Sequence, residues 1–260
     1  MKQCASLPGN PFDSSVAAAA YARFRPRYHG LVMDRVGAFL APPGPFPWAL
    51  DAGCGTGQSA EALRDLAENV AACDPSAGML ALARAVPGVH YFRASAEYLP
   101  VASGRISLIT ASAAFHWFDR PRFMAEARRV LVPEGWLVIY NGGFAGAMPG
   151  NRAYTHWVRK TYRKRFPVLR RSADPITSES MSAFGFRVER EEALEFRLAF
   201  TVEELAGYLT THSNALSRIE AGHESLESAA AWLREQVAPY FEGETALLRF
   251  TGSIFYLRKV

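Results

Sequence analysis

The segment "WALDAGCGTGQSAEAL", residues 48–63, narrows most what this chain can become. An apolar run closes on an acid, Asp51, glycines follow at Gly53, Gly55 and Gly57, and a helix-like pattern then begins. Glycine at alternate positions lets the main chain turn sharply, and a ligand can lie on bare N–H groups where a Cβ would collide. The helix that follows would add unpaired N–H donors and a partial positive end. In an open α/β sheet such a turn stands at the carboxyl end of a strand, where ligands bind. A tight strand-to-helix connection, with glycine serving geometry alone, is the plainer alternative. The second acid, Asp74, argues against it: it stands 23 residues later, at the end of the next strand, in "AACDPSAGML". A carboxylate there can accept both hydroxyls of a ribose, and it can also cap a helix opening at Pro75. A dinucleotide fingerprint would want its third glycine at position 58, which is Gln58. The G-x-G-x-G spacing therefore disfavours NAD and favours a nucleoside without a pyrophosphate.

Around this turn the chain alternates. The patterns predict a helix over 56–66, a strand over 69–74, a helix over 76–85 and a strand over 89–93. "RISLITASAAF" is a near-continuous apolar run, as expected of a strand covered on both faces. A helix over 121–130 and a strand over 136–140 complete the series. Repeated β-α-β units of this length mean a doubly wound, mostly parallel sheet with helices on both sides. Beyond Asn141 the pattern changes. "NGGFAGAMPG" reads as a loop, 151–166 as an amphipathic helix, and "FGFRVEREEALEFRLAFT" as one or two strands. Helices begin at Thr201, with Glu204 completing a capping box, and at Ser225. The closing "LLRFTGSIFYLRKV" reads as a strand that inserts back into the sheet. The expected division of a single domain is a helical lead-in over 1–43, a ligand-binding core over 44–141, an edge strand with a helical cap over 142–240, and a final strand over 241–260.

With 260 residues, 49% apolar and 21% charged, the chain is long enough for one such domain and ordinary for a globular protein. No apolar stretch approaches the roughly 20 residues of a membrane span, and "MKQCASLPGNPF" has no secretory h-region. Cys4, Cys54 and Cys73 form no close pair, which argues against a disulfide framework or a zinc site and suits a reducing cytoplasm. Much of the net charge of +4 is local: "RKTYRKRFPVLRR" carries seven basic residues and no acid. Tyr154, Trp157, Val158, Tyr162 and Phe166 fall on one helical face there, with Arg159, Lys160, Arg163 and Lys164 largely on the other. A docked, solvated helix reads this way. Attraction of an anionic small molecule comes next, and nucleic-acid binding third, since no recognition module accompanies the charge.

"LDAGCGTGQS", "CDPSAGML", "ASAEYLP", "ISLITASAAFHWFD" and "EARRVLVPEGWLVIYN" stand in the order and spacing of class I S-adenosylmethionine-dependent methyltransferases, which the chain resembles over roughly residues 45–141. The flanks "YARFRPRY" and "FTVEELAGYLTTHS" are similar to a type 11-like subgroup that includes trans-aconitate and related small-molecule methyltransferases. The resemblance implies a Rossmann-like fold of seven strands, the last antiparallel, and S-adenosylmethionine as cofactor. It places the methionyl part on Gly53–Gly57, with Asp51 ordering that turn or binding the amino group. Asp74, beside Pro75, would take the ribose hydroxyls, and Met79 would pack on the adenine. Ser95 and Ala96 would meet the adenine edge, although many members carry Asp at the Ser95 position. Ser107 stands where the family has an acid, a surface variation. Ser112 would touch the cofactor, and Tyr21 and Arg25, with Tyr28, would close over the cofactor and a carboxylate. A surface helix with ordinary arginines is the alternative for that lead-in.

Methyl transfer is an in-line displacement from a sulfonium, so alignment in a dry pocket can supply much of the rate and a base is optional. His116 is the candidate base or carboxylate partner, or else a histidine packed beside Trp117. No Asn-Pro-Pro-Tyr-like sequence and no Pro-Cys pair is present, against DNA amino- and cytosine-methylating enzymes. Ala111 and Ser112 offer no acid for a catechol-type metal site. The sequence thus predicts a cytoplasmic methyltransferase, monomer or homodimer, that O-methylates a carboxylate or hydroxyl of a small molecule, with anionic acceptors among the candidates. An RNA or protein methyltransferase and a non-catalytic cofactor-binding protein stay open.

Overall fold

A computed structural model describes residues 14–167 and 175–260. Cys4, the start of the lead-in and the last basic residues of "RKTYRKRFPVLRR", Arg170 and Arg171, lie outside the described residues. The lead-in forms α1 (Ser15–Phe24) and α2 (His29–Leu40). The alternating part follows as β1 (Phe46–Ala52), α3 (Gln58–Leu63), β2 (Ala67–Asp74), α4 (Ala77–Leu80), β3 (Val89–Arg93), β4 (Ile106–Ser112), α5 (Arg120–Val130) and β5 (Leu131–Tyr140). Then come β6 (Gly143–Ala147), α6 (Arg152–Trp157), α7 (Arg163–Arg165), α8 (Ser178–Ser182), β7 (Phe186–Phe200), α9 (Val202–Thr210), α10 (Ser213–Glu220), α11 (Leu226–Val237) and β8 (Ala246–Lys259).

One sheet runs in the order β3-β2-β1-β4-β5-β8-β6, with β7 paired to the other edge of β8. The first five strands are mutually parallel, and β8 is antiparallel to β5, β6 and β7. The connections diverge at β1, which pairs β2 on one side and β4 on the other. That divergence opens a crevice at the carboxyl ends of β1 and β4, where open α/β sheets hold ligands. Side chains alternate across the strands into two cores. Leu50, Ile109 and Leu137 join Phe123 and Met124 of α5 on one face. Ala49, Val70, Leu108 and Val138 join Val32, Met33 and Leu63 on the other. Phe123 and Met124 are fully buried, each a contribution of about 2–3 kcal/mol. Asp119 caps α5 by accepting from Arg122 N, and Pro121 sits in the first turn, where no intrahelical N–H is needed.

The expected fold class is found, with three departures. The sheet has eight strands among the described residues, not seven, because "GFAGA", expected as loop, pairs with β8 as β6. The helix expected over 76–85 is a single turn, α4, capped by Ser76. The helix expected over 151–166 is capped by Asn151 but passes through a π-helical turn, Val158–Tyr162, between α6 and α7. A strained or bulged turn of this kind rotates the following side chains relative to an α-helix. The partition of this helix is as expected: Tyr154, Trp157, Val158, Tyr162 and Phe166 are buried, while Arg159, Lys160, Arg163 and Lys164 are exposed. The buried five join Phe200, Tyr208, Leu233 and Phe250 in a third core that belongs to the cap. The Thr201–Glu204 capping box is formed, and Ser225 caps α11. An additional helix, α10, has no counterpart in the sequence reading. Among the described residues no helix is long and apolar enough to cross a membrane.

Candidate functional site

The glycine turn leaves β1 with φ of +73° at Gly53, +55° at Gly55 and +84° at Gly57, all in the left-handed region that favours glycine. Gly53 N and Cys54 N both donate to Cys73 O, at 2.8 and 3.0 Å, which ties the turn to the end of β2. A Cβ on Gly57 would stand 2.4 Å from Tyr91 Oη, so the turn is closed from behind by a phenol. Gly55 N donates to Asp74 Oδ2 at 2.9 Å, and Ser76 N donates to Oδ1 at 2.9 Å. Both carboxylate oxygens are thus aimed by main chain, each with acceptor capacity left for another donor.

Asp51 is fully buried behind the turn. Ser59 donates to its Oδ2 at 2.5 Å and Thr110 to its Oδ1 at 2.8 Å, so the acid joins the start of α3 to β4. Burial pushes its carboxyl up to about 6, with the two hydroxyl bonds opposing. Asp51 does not line the cleft described next.

A cleft lies against the turn, with about 520 Å³ of empty space when its solvent-open part is included. The lead-in contributes Tyr21, Arg25, Tyr28 and His29; the turn contributes Gly53, Gly55 and Thr56; the end of β4 contributes Ser112 and Ala113. Gly142 and Tyr208 supply the wall nearest the cap. The lead-in closes by contacts that glycines permit. Gly142 N donates to Tyr28 Oη at 3.1 Å, and a Cβ there would stand 2.8 Å from the same ring. A Cβ on Gly207 of α9 would overlap the Phe24 ring at 2.4 Å. The Arg25 guanidinium is 4.7 Å above the Tyr21 ring and 5.5 Å from the Tyr208 ring, and its Nη2 donates to Thr211 O at 2.8 Å. Its Nε, and Thr56 Oγ1, are buried without a hydrogen-bond partner. Among the described residues no carboxylate and no lysine lines the cleft.

Of the residues expected at the site, Tyr21, Arg25, Gly53, Gly55 and Ser112 therefore line one cleft, and Tyr28 joins them. Asp74, Pro75, Met79, Ser95 and Ala96 lie beyond Gly55, linked through its bond to Asp74. Met79 is buried, with Cε 3.2 Å from where a Gly55 Cβ would be. Pro75 is exposed, and its carbonyl accepts from Arg93 Nε at 2.9 Å. Ser95 donates to the Glu97 carboxylate and accepts from Glu97 N at 3.2 Å, so its hydroxyl proton already has an acceptor. Ala96 is buried. His116 does not line the cleft; it sits in a 3₁₀ turn, Phe115–Trp117, with its ring 5.4 Å from that of Trp117. Sequence reasoning missed His29, Tyr208 and Gly142, whereas Thr56 lies inside the expected Gly53–Gly57 turn. Only Gly142 had a local signal, in "NGG"; His29 and Tyr208 become neighbours through tertiary contact.

Ala113 adopts φ +48°, an uncommon conformation for a residue with a Cβ, directly after β4. Its N–H donates to Tyr140 O at 2.8 Å, which holds the main chain against the cleft. The thiols of Cys54 and Cys73 are free and buried, and burial pushes that of Cys73 up to about 12.

A family profile described as a methyltransferase domain matches residues 50–139. The malonyl-[acyl-carrier protein] O-methyltransferase of Enterobacter lignolyticus is 30% identical over 236 residues, which cover 88% of this chain and 93% of that protein. The structure of a candidate type II methyltransferase from Anaeromyxobacter dehalogenans aligns with TM-score 0.66 and 26% identity, over 90% of this chain and 97% of that one. The Haemonchus contortus phosphoethanolamine N-methyltransferase 2, solved with S-adenosyl-L-methionine, shares the fold alone. Its TM-score is 0.52 at 16% identity, over 95% of this chain and 57% of that one.

Proposed function

The chain belongs to the class I S-adenosylmethionine-dependent methyltransferases, and we propose that within that family it methylates an oxygen, of a carboxylate or a hydroxyl, on a small molecule. The residues present fit the cofactor: a turn that only glycine tolerates borders the cleft, and the buried Thr56 Oγ1 and Arg25 Nε have no protein partner there. On this reading Gly53, Gly55 and Thr56 bed the methionyl part, and Tyr21 and Arg25 close over its carboxylate. Asp74, held by Gly55 N and Ser76 N, takes the ribose hydroxyls. Met79 packs against the adenine, with Ser95 and Ala96 at its edge. Gly57 and Asp51 serve by shaping the turn. When bound, S-adenosylmethionine supplies a methyl group activated on a positively charged sulfur.

The observation that carries the oxygen reading is that, among the described residues, no carboxylate and no lysine lines the cleft. An amine acceptor is a cation until deprotonated and would meet neither a counter-ion nor a charged base there. An oxygen acceptor meets phenols, a serine hydroxyl, an imidazole and a guanidinium, all of which donate. A carboxylate is already nucleophilic, so the protein's part is to orient it in line and exclude water. The Tyr28 and Tyr208 rings wall the cleft and suit that exclusion. The malonyl-directed relative, whose name states O-methylation, supports the same chemistry. The flanking "YARFRPRY" supports the small-molecule subgroup that includes trans-aconitate methyltransferase. His116 has no proton-transfer role in this reading, because it lies off the cleft.

The test is turnover with S-adenosylmethionine against a panel of carboxylic acids, phenols, aliphatic alcohols, amines, RNA and proteins. S-adenosylhomocysteine and the mass of the methylated acceptor are read together. A methyl ester or ether is the expected product. A methylated amine, or salt-sensitive turnover on RNA, overturns the reading.

A further inference from the structure

The histidine that does line the cleft is His29, the first residue of α2. Its ring stacks on that of Tyr28 with centroids 4.5 Å apart. Nδ1 lies 2.9 Å from Tyr140 Oη and 3.4 Å from Ser112 Oγ. Gly142 N donates to Tyr28 Oη at 3.1 Å. Two hydroxyls, those of Tyr140 and Ser112, thus converge on one ring nitrogen, and each brings a proton that needs an acceptor.

Tyr140 is buried, and Nδ1 is the one hydrogen-bond partner of its hydroxyl among the described residues. Its proton therefore goes to Nδ1, which must be bare to accept it, and Ser112 donates to the same atom. A proton on Nδ1 would leave the buried Tyr140 hydroxyl without an acceptor. The pair therefore selects the tautomer protonated on Nε2, and no group among the described residues hydrogen-bonds that atom.

We propose that His29 is the residue that holds the methyl acceptor: a neutral imidazole whose tautomer is set by Ser112 and Tyr140, donating from Nε2–H to an acceptor oxygen. This rests on the oxygen reading above. Transfer to a carboxylate forms an O–C bond and breaks the C–S bond, whose electron pair leaves with sulfur. No proton moves, so a donor that is never a base is sufficient. Burial, with the Arg27 guanidinium adding to it, lowers the imidazole to about 4, so it stays uncharged near neutrality. The groups facing it are Arg27 and Tyr28 from the lead-in, Ser112 from β4 and Tyr140 from β5; the buried Asp51 carboxyl acts on Tyr140.

Nitrogen-15 NMR of the histidines in the purified full chain tests the tautomer without any acceptor. His29 should read as neutral and protonated on Nε2 from about pH 5.5 to about pH 8. An Nδ1–H signature, or titration near the ordinary histidine value, overturns the proposal. With the acceptor from the panel, His29→Phe should lower kcat/KM by about 10- to 100-fold while the affinity for S-adenosylhomocysteine is unchanged. His29→Gln, which keeps an N–H donor, should restore most of that loss and serves if the Phe variant does not fold. Wild-type kinetics in His29→Phe, or a loss confined to S-adenosylhomocysteine affinity, overturns the assignment. If the panel yields a methylated amine, the oxygen reading fails on product mass, and the tautomer measurement is judged separately.

Discussion

The half of the molecule built from β1 to β5 and the cap that packs beyond β6 hold their ligand-facing surfaces by different means. In the first, the surface is main chain: three left-handed glycines, an acid aimed by two N–H groups, and a buried acid tied by two hydroxyls. In the cap the interior is aromatic, with Tyr154, Trp157, Tyr162, Phe166, Phe200, Tyr208 and Phe250 in one core. One of its hydroxyls, Tyr154 Oη, is buried without a partner, and a π-helical turn sets the position of Tyr162. Tyr162 Oη nonetheless reaches Leu209 O at 3.1 Å and His212 Nδ1 at 2.9 Å, beside the wall that Tyr208 gives to the cleft. The contrast teaches that one wall of the cleft is set by backbone geometry and another by side-chain packing. Packing tolerates exchange of residues of similar volume far more readily than left-handed turns tolerate a Cβ.

The largest effect is expected where the two regions join. A Cβ on Gly252 of β8 would stand 2.0 Å from Asn141 O, a backbone atom that cannot move aside alone. Gly252→Ala should cost more than about 3 kcal/mol of unfolding free energy, read from urea midpoints; an unshifted midpoint would break the view of β8 as a rigid joint. Next comes the main-chain-aimed acid. Asp74→Ala should weaken cofactor binding by about 1–3 kcal/mol in calorimetry, with stability altered far less, and unchanged affinity would remove Asp74 from the site.

A pH series sharpens the comparison further. His29 is lowered to about 4 and His212 to about 3, both chiefly by burial. Each contributes stability that is full above the ordinary histidine value and is lost as pH falls below it. Asp51 is raised to about 6, so its burial favours the fold at low pH and this contribution is lost as pH rises through that value. The His29 and Asp51 terms oppose each other between about pH 4 and about pH 6, and the cap's His212 acts with His29. Urea midpoints should therefore fall on acidification through that window. Asp51→Asn should steepen the fall and His212→Asn should flatten it; the reverse pair of outcomes would invert the assignment. The smallest effect is Tyr154→Phe, which removes the unpartnered hydroxyl and should leave stability unchanged or raise it by about 1 kcal/mol. A clear loss would mean that this hydroxyl has a partner the packing conceals.

Much of this was legible before any coordinates. The glycine turn, the two acids at strand ends, the β-α alternation, the Thr201–Glu204 cap and the division of the basic helix into aromatic and cationic faces are all properties of near neighbours along the chain. Dihedral preference, capping and periodicity act over a few residues, so sequence alone carries them. Other features were not legible. "GFAGA" became a strand only because β8 offered an edge. His29 lines the cleft where His116 does not, since the lead-in folds back over Gly142 and α9 while the Phe115–Trp117 turn leads away. Which histidine meets the cleft depends on contacts between residues more than a hundred positions apart, such as Tyr28 with Gly142 and His29 with Tyr140. The sequence determined the turn that can receive a nucleoside; the tertiary structure decided what closes over it, because closure is made by long-range packing that no local pattern encodes.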